Sequence, residues 1–347
     1  MDKAKLGALR AKYASAKGGD IHDPDFAAVA SSVFTSPDRR KWPFADVATF
    51  LGAPYRPDAA ASGFADLDVA LAGVPMDLGV TNRAGARLGP RAVRAVERIG
   101  PYEHALRVAP AGKLRFADVG DVPMESRFSL DRCHADIESW YKGVAAAGVI
   151  PLSVGGDHSI SLPILRALGA ERPVGMVHID AHCDTSGEYE GAKFHHGGPF
   201  RLAVLDGVLD PERTIQIGIR GPAEYLWEFS ADSGMTVIHA EEVDKLGLDA
   251  VIAKAREIVG DGPTYVTFDV DSIDPALAPG TGTPEVGGLL PREALALVRG
   301  LAGIDIIGGD VVEVAPQYDA TTATAQIGAQ MLFELLCLVA LRRNRGS

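Results

Sequence analysis

Three short segments of the sequence concentrate carboxylate and imidazole side chains directly after apolar runs. They are GGDHS at 155–159, DAHCD at 180–184 and DVDSIDP at 269–275. Aspartate and histidine are common ligands of divalent metal ions, and they are also frequent acid and base groups of hydrolytic enzymes. We therefore expect these three segments to supply metal ligands or catalytic groups.

Side-chain alternation predicts which of these groups lie together. Successive side chains of an extended chain point to opposite faces, so residues two apart share a face. If the extended conformation continues past the apolar runs, the acidic and histidine side chains of the segments meet in one small volume. The residues that this pattern predicts as metal ligands are His158, Asp180, His182, Asp184, Asp269 and Asp271.

The charge of such a cluster indicates what it binds. Carboxylates held close together raise one another's pKa, and burial increases the effect. A pair of divalent cations balances four carboxylates, and a mixed carboxylate and imidazole set without thiolate favours Mn²⁺, Fe²⁺, Co²⁺ or Ni²⁺ over a structural zinc site. Two such ions, about 3.5–4 Å apart and bridged by carboxylates and a water, generate hydroxide near neutral pH. The sequence thus predicts a binuclear hydrolytic centre.

The apolar runs predict the elements that position this centre. From residue 68 onward they alternate with amphipathic stretches, which indicates a mostly parallel sheet covered by helices on both faces. Strands are predicted at 68–75, 151–156, 175–182, 214–221, 236–240, 264–271 and 305–314. Helices are predicted at 90–99, 129–148, 248–260 and 291–303. Ligands of such sheets bind beyond the carboxyl ends of the strands, where all three segments lie.

Composition excludes several classes of protein. The chain has 347 residues, of which 47% are hydrophobic, and a formal net charge of −12, so we expect a globular protein that does not bind nucleic acid. Its three cysteines cannot form a dense disulfide framework. The amino terminus lacks a secretory apolar segment, and the apolar stretch at 331–341 is short and contains Glu334. We therefore expect a cytoplasmic protein without a membrane span.

The beginning of the chain differs from the rest. Prolines interrupt any long periodic element there, at positions 24, 37, 43, 54 and 57. We expect residues 1–65 to form an arm that packs on one large catalytic domain, which comprises residues 66–347.

The three segments resemble the three signature regions of the ureohydrolase family, which comprises arginases, agmatinases and guanidino-acid hydrolases. The resemblance extends from about residue 68 to residue 340. It includes four further motifs, GVPMD at 73–77, NRAGARLGP at 82–90, GTGTPE at 280–285 and VEVAP at 312–316. The overall pattern is more similar to the agmatinase and guanidino-acid hydrolase branch than to true arginases.

The resemblance implies a fold, a reaction and a cofactor. The fold is the three-layer arginase-type α/β fold with a mostly parallel central sheet. The reaction is hydrolysis of a guanidino group to urea and an amine at a binuclear centre, which usually contains Mn²⁺. The family resemblance also implies a homo-oligomer, commonly a trimer or hexamer, and a mixed oligomer with a paralogue stays open.

All six candidate ligands match the family pattern. The resemblance assigns them in three pairs: His158 with Asp184 on one metal ion, His182 with Asp271 on the other, and Asp180 with Asp269 as bridges between them. It also makes Asp184 a partner of the bridging hydroxide.

Two further residues are predicted to act on the substrate. Glu313 follows an apolar strand and matches the family's guanidinium-binding carboxylate, because a guanidinium is always cationic and pairs with a carboxylate through two hydrogen bonds. His196 precedes Gly197 in the loop after the second signature. It is the candidate general acid for the leaving amine, acting near its ordinary pKa, and His195 is its rival.

The residues that bind the part of the substrate beyond the guanidino group are predicted less specifically. In the loop at 185–193, Glu188 or Glu190 would receive the ammonium of agmatine, whereas Lys193 would receive the carboxylate of guanidinobutyrate or guanidinopropionate. The arm contains KWPF at 41–44, which would cover the mouth of the site and restrict it to small substrates. Free guanidine, an alkylguanidine or a biguanide such as metformin is therefore an alternative substrate, with Ni²⁺ in place of Mn²⁺. A zinc-dependent deacetylase of the same general fold, which needs one metal ion, is a remote alternative.

Overall fold

A single parallel sheet organises the computed structural model, which describes residues 1–17, 20–24, 27, 44–97, 99–221 and 227–342. The eight strands are β1 Val69–Val74, β2 Phe116–Asp121, β3 Ile150–Gly155, β4 Val174–Ile179, β5 Leu209–Ile219, β6 Thr236–His239, β7 Thr264–Asp269 and β8 Ile306–Val312. Their order is β2-β1-β3-β8-β7-β4-β5-β6, and every neighbouring pair is parallel. The predicted sheet is confirmed.

Helices connect the strands and surround the sheet. In the described part of the chain they are α1 Lys3–Tyr13, α2 Gly89–Arg94, α3 Leu130–Ala146, α4 Ser161–Leu168, α5 Pro199–Leu205, α6 Glu228–Ser233, α7 Ala240–Leu246, α8 Leu248–Val259, α9 Pro291–Gly300 and α10 Ala323–Arg342. Strand residues divide between two large apolar clusters. Val177 and Val266 pack with α8, α9 and α10, whereas Met176 and Tyr265 pack with α3, α4 and α5. This alternation shows that helices cover both faces, as predicted.

Seven elements of the described chain were not predicted: strand β2 and the helices α1, α4, α5, α6, α7 and α10. Two of them show why. Strand β2 has the sequence FADVGD, in which Asp118 and Asp121 interrupt the apolar residues, so it lacks the apolar run typical of a buried strand. Helix α10 is apolar on all sides, and most of its residues are buried, so it has no polar face to reveal a helical period. It is long and apolar enough to cross a membrane, with a mean hydropathy of 1.6, but 78% of that segment is buried inside the fold. Burial among other elements is typical of the core helix of a globular protein.

The described part of the predicted arm contacts the body unevenly. Helix α1 has no buried residue, whereas Phe50 is fully buried and donates its backbone N–H to Asp118 at 2.9 Å. The guanidinium of Arg94 lies 4.0 Å from the centre of the Phe50 ring and donates to both carboxylate oxygens of Asp118. Residues 41–43 of the KWPF segment lie outside the described residues, and the boundary at residue 65 stays a prediction.

Replacing Arg94 by Met is expected to destabilise the protein by about 3–5 kcal/mol, because it leaves the buried carboxylate of Asp118 without its cation. Urea unfolding measures this loss. Arg115→Met is the control, since Arg115 pairs with Asp66 and Asp68 at the exposed surface and should have little effect. Equal stability of the two variants would contradict the role of Arg94.

Candidate metal centre

The candidate site lies at the carboxyl ends of the four central strands, β3, β8, β7 and β4. His158 follows β3, Asp180 follows β4, Asp269 ends β7 and Glu313 follows β8. Because these strands are neighbours and parallel, residues far apart in the sequence meet at one edge of the sheet. The fold therefore brings the three signature segments together.

His158 is the centre of the first group of donors. Its Nδ1 lies 3.0 Å from Asp180 Oδ2, 2.9 Å from Asp184 Oδ2 and 3.3 Å from Asp269 Oδ2. Its Nε2 lies 2.7 Å from the hydroxyl of Thr267, which orients the ring. All these side chains are buried.

His182 is the centre of the second group. Its Nδ1 lies 3.2 Å from Asp271 Oδ2 and 3.5 Å from Asp180 Oδ1, while its Nε2 faces Glu285 Oε1 at 3.6 Å. Asp180 therefore presents one oxygen to each histidine. A histidine that binds a metal through one ring nitrogen usually donates its other ring N–H to a carboxylate. Glu285 lies in that position beside His182 Nε2.

The turns that form the cluster differ from the predicted extended chain. Strand β4 ends at Ile179, and Asp184 has a φ of 53°. Asp180 Oδ1 accepts the backbone N–H of His182 at 2.7 Å. Asp271 likewise lies in a short 3₁₀ turn, and its N–H donates to Asp269 Oδ1 at 2.8 Å. The expectation of a continued extended chain was therefore wrong: tight turns closed by aspartate side chains bring these residues together.

The electrostatics of the cluster favour a bound cation. Burial raises the pKa of Asp269 well above its ordinary value, and repulsion from Asp271 and Asp180 adds to the rise. Burial, together with repulsion from Asp180, raises the pKa of Asp271 to about 6. Burial opposes the charged form of His158, but its close contacts with the carboxylates of Asp180, Asp184 and Asp269 outweigh burial and raise its pKa. The carboxylates thus stabilise a positive charge placed between them.

The donors fit a pair of divalent cations. One set of donor atoms, from His158, His178, Asp180 and Asp184, lies within 4.8 Å of one another, and so does a second set from Asp180, His182 and Asp271. The two sets share Asp180. His158 Nδ1 is buried without a hydrogen-bond partner of good geometry in the described residues, as expected of an atom that donates its lone pair to a metal.

Glu313 and His196 form a hydrogen-bonded pair beside the cluster. Glu313 Oε1 accepts His158 N–H at 2.9 Å and lies 2.8 Å from His196 Nδ1. Glu313 Oε2 is buried and has no partner among the described residues. Although burial disfavours the imidazolium, the negative charge of Glu313 raises the pKa of His196 to about 9, so the prediction of an ordinary pKa was wrong.

The residues predicted to bind the substrate tail are mostly exposed. Glu188, Glu190 and Lys193 are exposed, and Lys193 Nζ lies 5.2 Å from the centre of the Phe194 ring. His195 is buried, and its Nε2 lies 2.7 Å from the carbonyl oxygen of Gly187. His195 thus supports its own loop, whereas His196 faces Glu313.

Sequence reasoning missed three residues that touch the site. His178 Nε2 lies 2.7 Å from Asp180 Oδ2, and its place two residues before Asp180 was the available signal. Asp157 lies within the first signature and accepts Gly79 N–H at 2.8 Å. Thr81 Oγ1 lies 2.7 Å from His196 Nε2, and no local pattern marks a threonine in a distant loop.

The fold and the site together define a metal-dependent α/β hydrolase. The chain matches the arginase family over residues 67–337. Guanidinopropionase of Pseudomonas aeruginosa is 53% identical over 301 residues, which are 86% of this chain and 93% of that protein. Mitochondrial agmatinase of Gallus gallus is 47% identical over 281 residues, which are 79% of this chain and 81% of that protein.

Solved structures of similar fold point to the same family. Proclavaminate amidino hydrolase from Streptomyces clavuligerus has a TM-score of 0.83 at 35% identity, covering 87% of this chain and 100% of that one. The chain belongs to the arginase family, in the branch of agmatinases and guanidino-acid hydrolases. It is a hydrolase of C–N bonds in guanidino compounds, and its family depends on a binuclear metal centre.

Proposed function

We propose that this protein hydrolyses a short guanidino acid, with 3-guanidinopropionate as the first candidate, to urea and the corresponding amino acid. The observation that carries the proposal is the carboxylate of Glu313, whose second oxygen is buried beside the cluster of metal donors and has no partner within the described part of the chain. A guanidinium supplies two parallel N–H groups and a permanent positive charge, which satisfy such an oxygen. The 53% identity to a guanidinopropionase favours a short acid over agmatine.

We propose the following roles for the residues of the site. His158, Asp180, His182, Asp184, Asp269 and Asp271 hold two divalent cations, which supply hydroxide near neutral pH when bound. Asp184 accepts a hydrogen bond from the nucleophile, and Glu313 holds the guanidinium so that its central carbon faces the nucleophile. As the C–N bond to the alkyl chain breaks, His196 gives its proton to the leaving amine. The central carbon, which has gained the oxygen of a water molecule in the attack, leaves with its other two nitrogens as urea.

We propose Mn²⁺ as the native metal, with Ni²⁺ as the alternative. Oxygen donors outnumber the imidazoles and thiolate is absent from the proposed ligand set, which suits Mn²⁺. We also propose that the protein is a homo-oligomer, as its family resemblance implies, and that it is cytoplasmic.

A urea-release screen tests the proposed function. The protein is stripped of metal and reconstituted with Mn²⁺ or Ni²⁺. It is then assayed with 3-guanidinopropionate, 4-guanidinobutyrate, guanidinoacetate, agmatine, arginine, guanidine and metformin. We expect the highest kcat/KM with a short guanidino acid. Highest kcat/KM with agmatine, guanidine or metformin would overturn the substrate class, and one metal ion per chain would overturn the binuclear centre.

Removing the metal is expected to lower stability, because the buried carboxylates then repel one another without compensation. A cation at 100 times its dissociation constant stabilises the folded state by about 2.7 kcal/mol. We therefore expect chelation to lower the melting temperature and added Mn²⁺ to restore it. An unchanged melting temperature in both steps would contradict metal binding at this cluster.

A further inference from the structure

The side chain of His178 contributes one of the possible donor atoms of the first set, and it also contacts the carboxylate of Asp180. It lies within β4 and is fully buried, its ring centre is 4.6 Å from that of Phe200, and its Nε2 lies 2.7 Å from Asp180 Oδ2. By distance it is either a further metal ligand or a residue that acts through Asp180. The hydrogen bonds behind the ring decide between the two.

Gln216 determines which nitrogen of His178 carries the proton. Its Nε2 lies 2.6 Å from the carbonyl oxygen of Cys183, and a carbonyl oxygen only accepts, so this atom is the amide NH₂ group. The same NH₂ group lies 3.0 Å from His178 Nδ1. Because an NH₂ group only donates, Nδ1 accepts. Neutral His178 therefore carries its proton on Nε2 and donates it to Asp180 Oδ2.

We propose that His178 and Gln216 are positioning residues that orient Asp180, the carboxylate shared by the two metal ions, and that His178 is not itself a ligand. The protonated Nε2 has no lone pair to offer a cation. The proposal rests on the proposed function, since it takes Asp180 as a shared ligand. Asp180 is then held at both oxygens, by His178 Nε2–H at Oδ2 and by the backbone N–H of His182 at Oδ1.

The fold supplies this arrangement through strand register. His178 of β4 and Gln216 of β5 are direct partners in the parallel pair, so their side chains lie side by side. The carbonyl of Cys183 returns to Gln216 from the turn that carries the ligands. Gln216 thus ties the ligand turn to the sheet while it sets the tautomer of His178. A shared carboxylate that is already fixed in this way loses less side-chain conformational entropy when it binds the cations.

Titration of the metal-stripped full chain with Mn²⁺, followed by calorimetry, tests the proposal without an activity readout. His178→Phe removes the donor and keeps a ring of similar size, and we expect Mn²⁺ affinity to fall about 10- to 100-fold with an unchanged number of ions at saturation. Gln216→Met should weaken affinity in the same direction. Tyr141→Phe is the matched control, because it removes a buried hydrogen bond to Ser153 elsewhere under the sheet and should leave affinity unchanged.

Nitrogen-15 NMR of histidine-labelled, metal-free protein provides a second readout. We expect the His178 signal to show a proton on Nε2 in the wild type. Wild-type affinity in His178→Phe, loss of one bound ion at saturation, or a proton on Nδ1 in the wild type would each overturn the proposal. If the wild type itself binds no Mn²⁺ or releases no urea, the proposed function fails instead.

Discussion

Asp180→Asn is expected to abolish turnover, because the amide offers one neutral oxygen where the carboxylate presents one charged oxygen to each histidine-centred group. Metal ions stabilise transition-state charge by several kcal/mol, so loss of one position should reduce kcat by about a thousandfold or more. Asp269→Asn should act similarly, since Asp269 Oδ2 lies 3.3 Å from His158 Nδ1. Urea release measures the loss, and metal analysis should find at least one ion missing per chain.

Asp274→Asn is the matched control for these variants. It makes the same chemical change within the same signature segment, but Asp274 accepts backbone N–H groups near the surface, and the single oxygen of asparagine keeps the bonds on one side. We expect this variant to keep its metal and most of its activity. Normal activity with two bound ions in Asp180→Asn or Asp269→Asn would contradict the bridging assignment.

Glu313→Gln is expected to weaken substrate binding in the transition state while the metal content stays unchanged. The amide oxygen still accepts from His158 N–H and His196, so the local backbone is retained, but the group that faces the guanidinium becomes a neutral NH₂. Removing one partner of a buried, hydrogen-bonded charge pair costs about 2–5 kcal/mol, which corresponds to a decrease in kcat/KM of about 30- to 4,000-fold.

The measurement needs both kinetics and metal analysis. Glu334→Gln is the matched control, because Glu334 is also a fully buried glutamate but pairs with Arg299 rather than facing the site. It should lower stability without a change in kcat/KM. Loss of metal in Glu313→Gln would mean that Glu313 supports the ligands rather than the substrate.

Much of the site was predictable because its signals are local. Ligand-type side chains directly after apolar runs identify strand ends, and parallel strands place their carboxyl ends at one edge. The six candidate ligands and Glu313 follow from this, and the structure brings them to the four central strands. The mostly parallel sheet was predictable for the same reason, since its buried strands are continuous apolar runs.

Other features had no local signal. Strand β2 is recognised only by its pairing with β1, and α10 only by its burial on every side. The exposure of Glu188, Glu190 and Lys193 depends on how their loop folds, which charge alone does not predict. The sequence by itself thus determined which residue types stand at the strand ends, because that information is carried by neighbours in the chain.

Only the tertiary structure decided how those residues meet. Turns closed by Asp180 and Asp269, rather than continued strands, bring the ligands together, and the register of β4 with β5 places Gln216 beside His178. Contact with Glu313 raises the pKa of His196. Hydrogen bonds and charges act across space over a few ångströms, so partners separated by tens or hundreds of residues become visible only once the chain is folded.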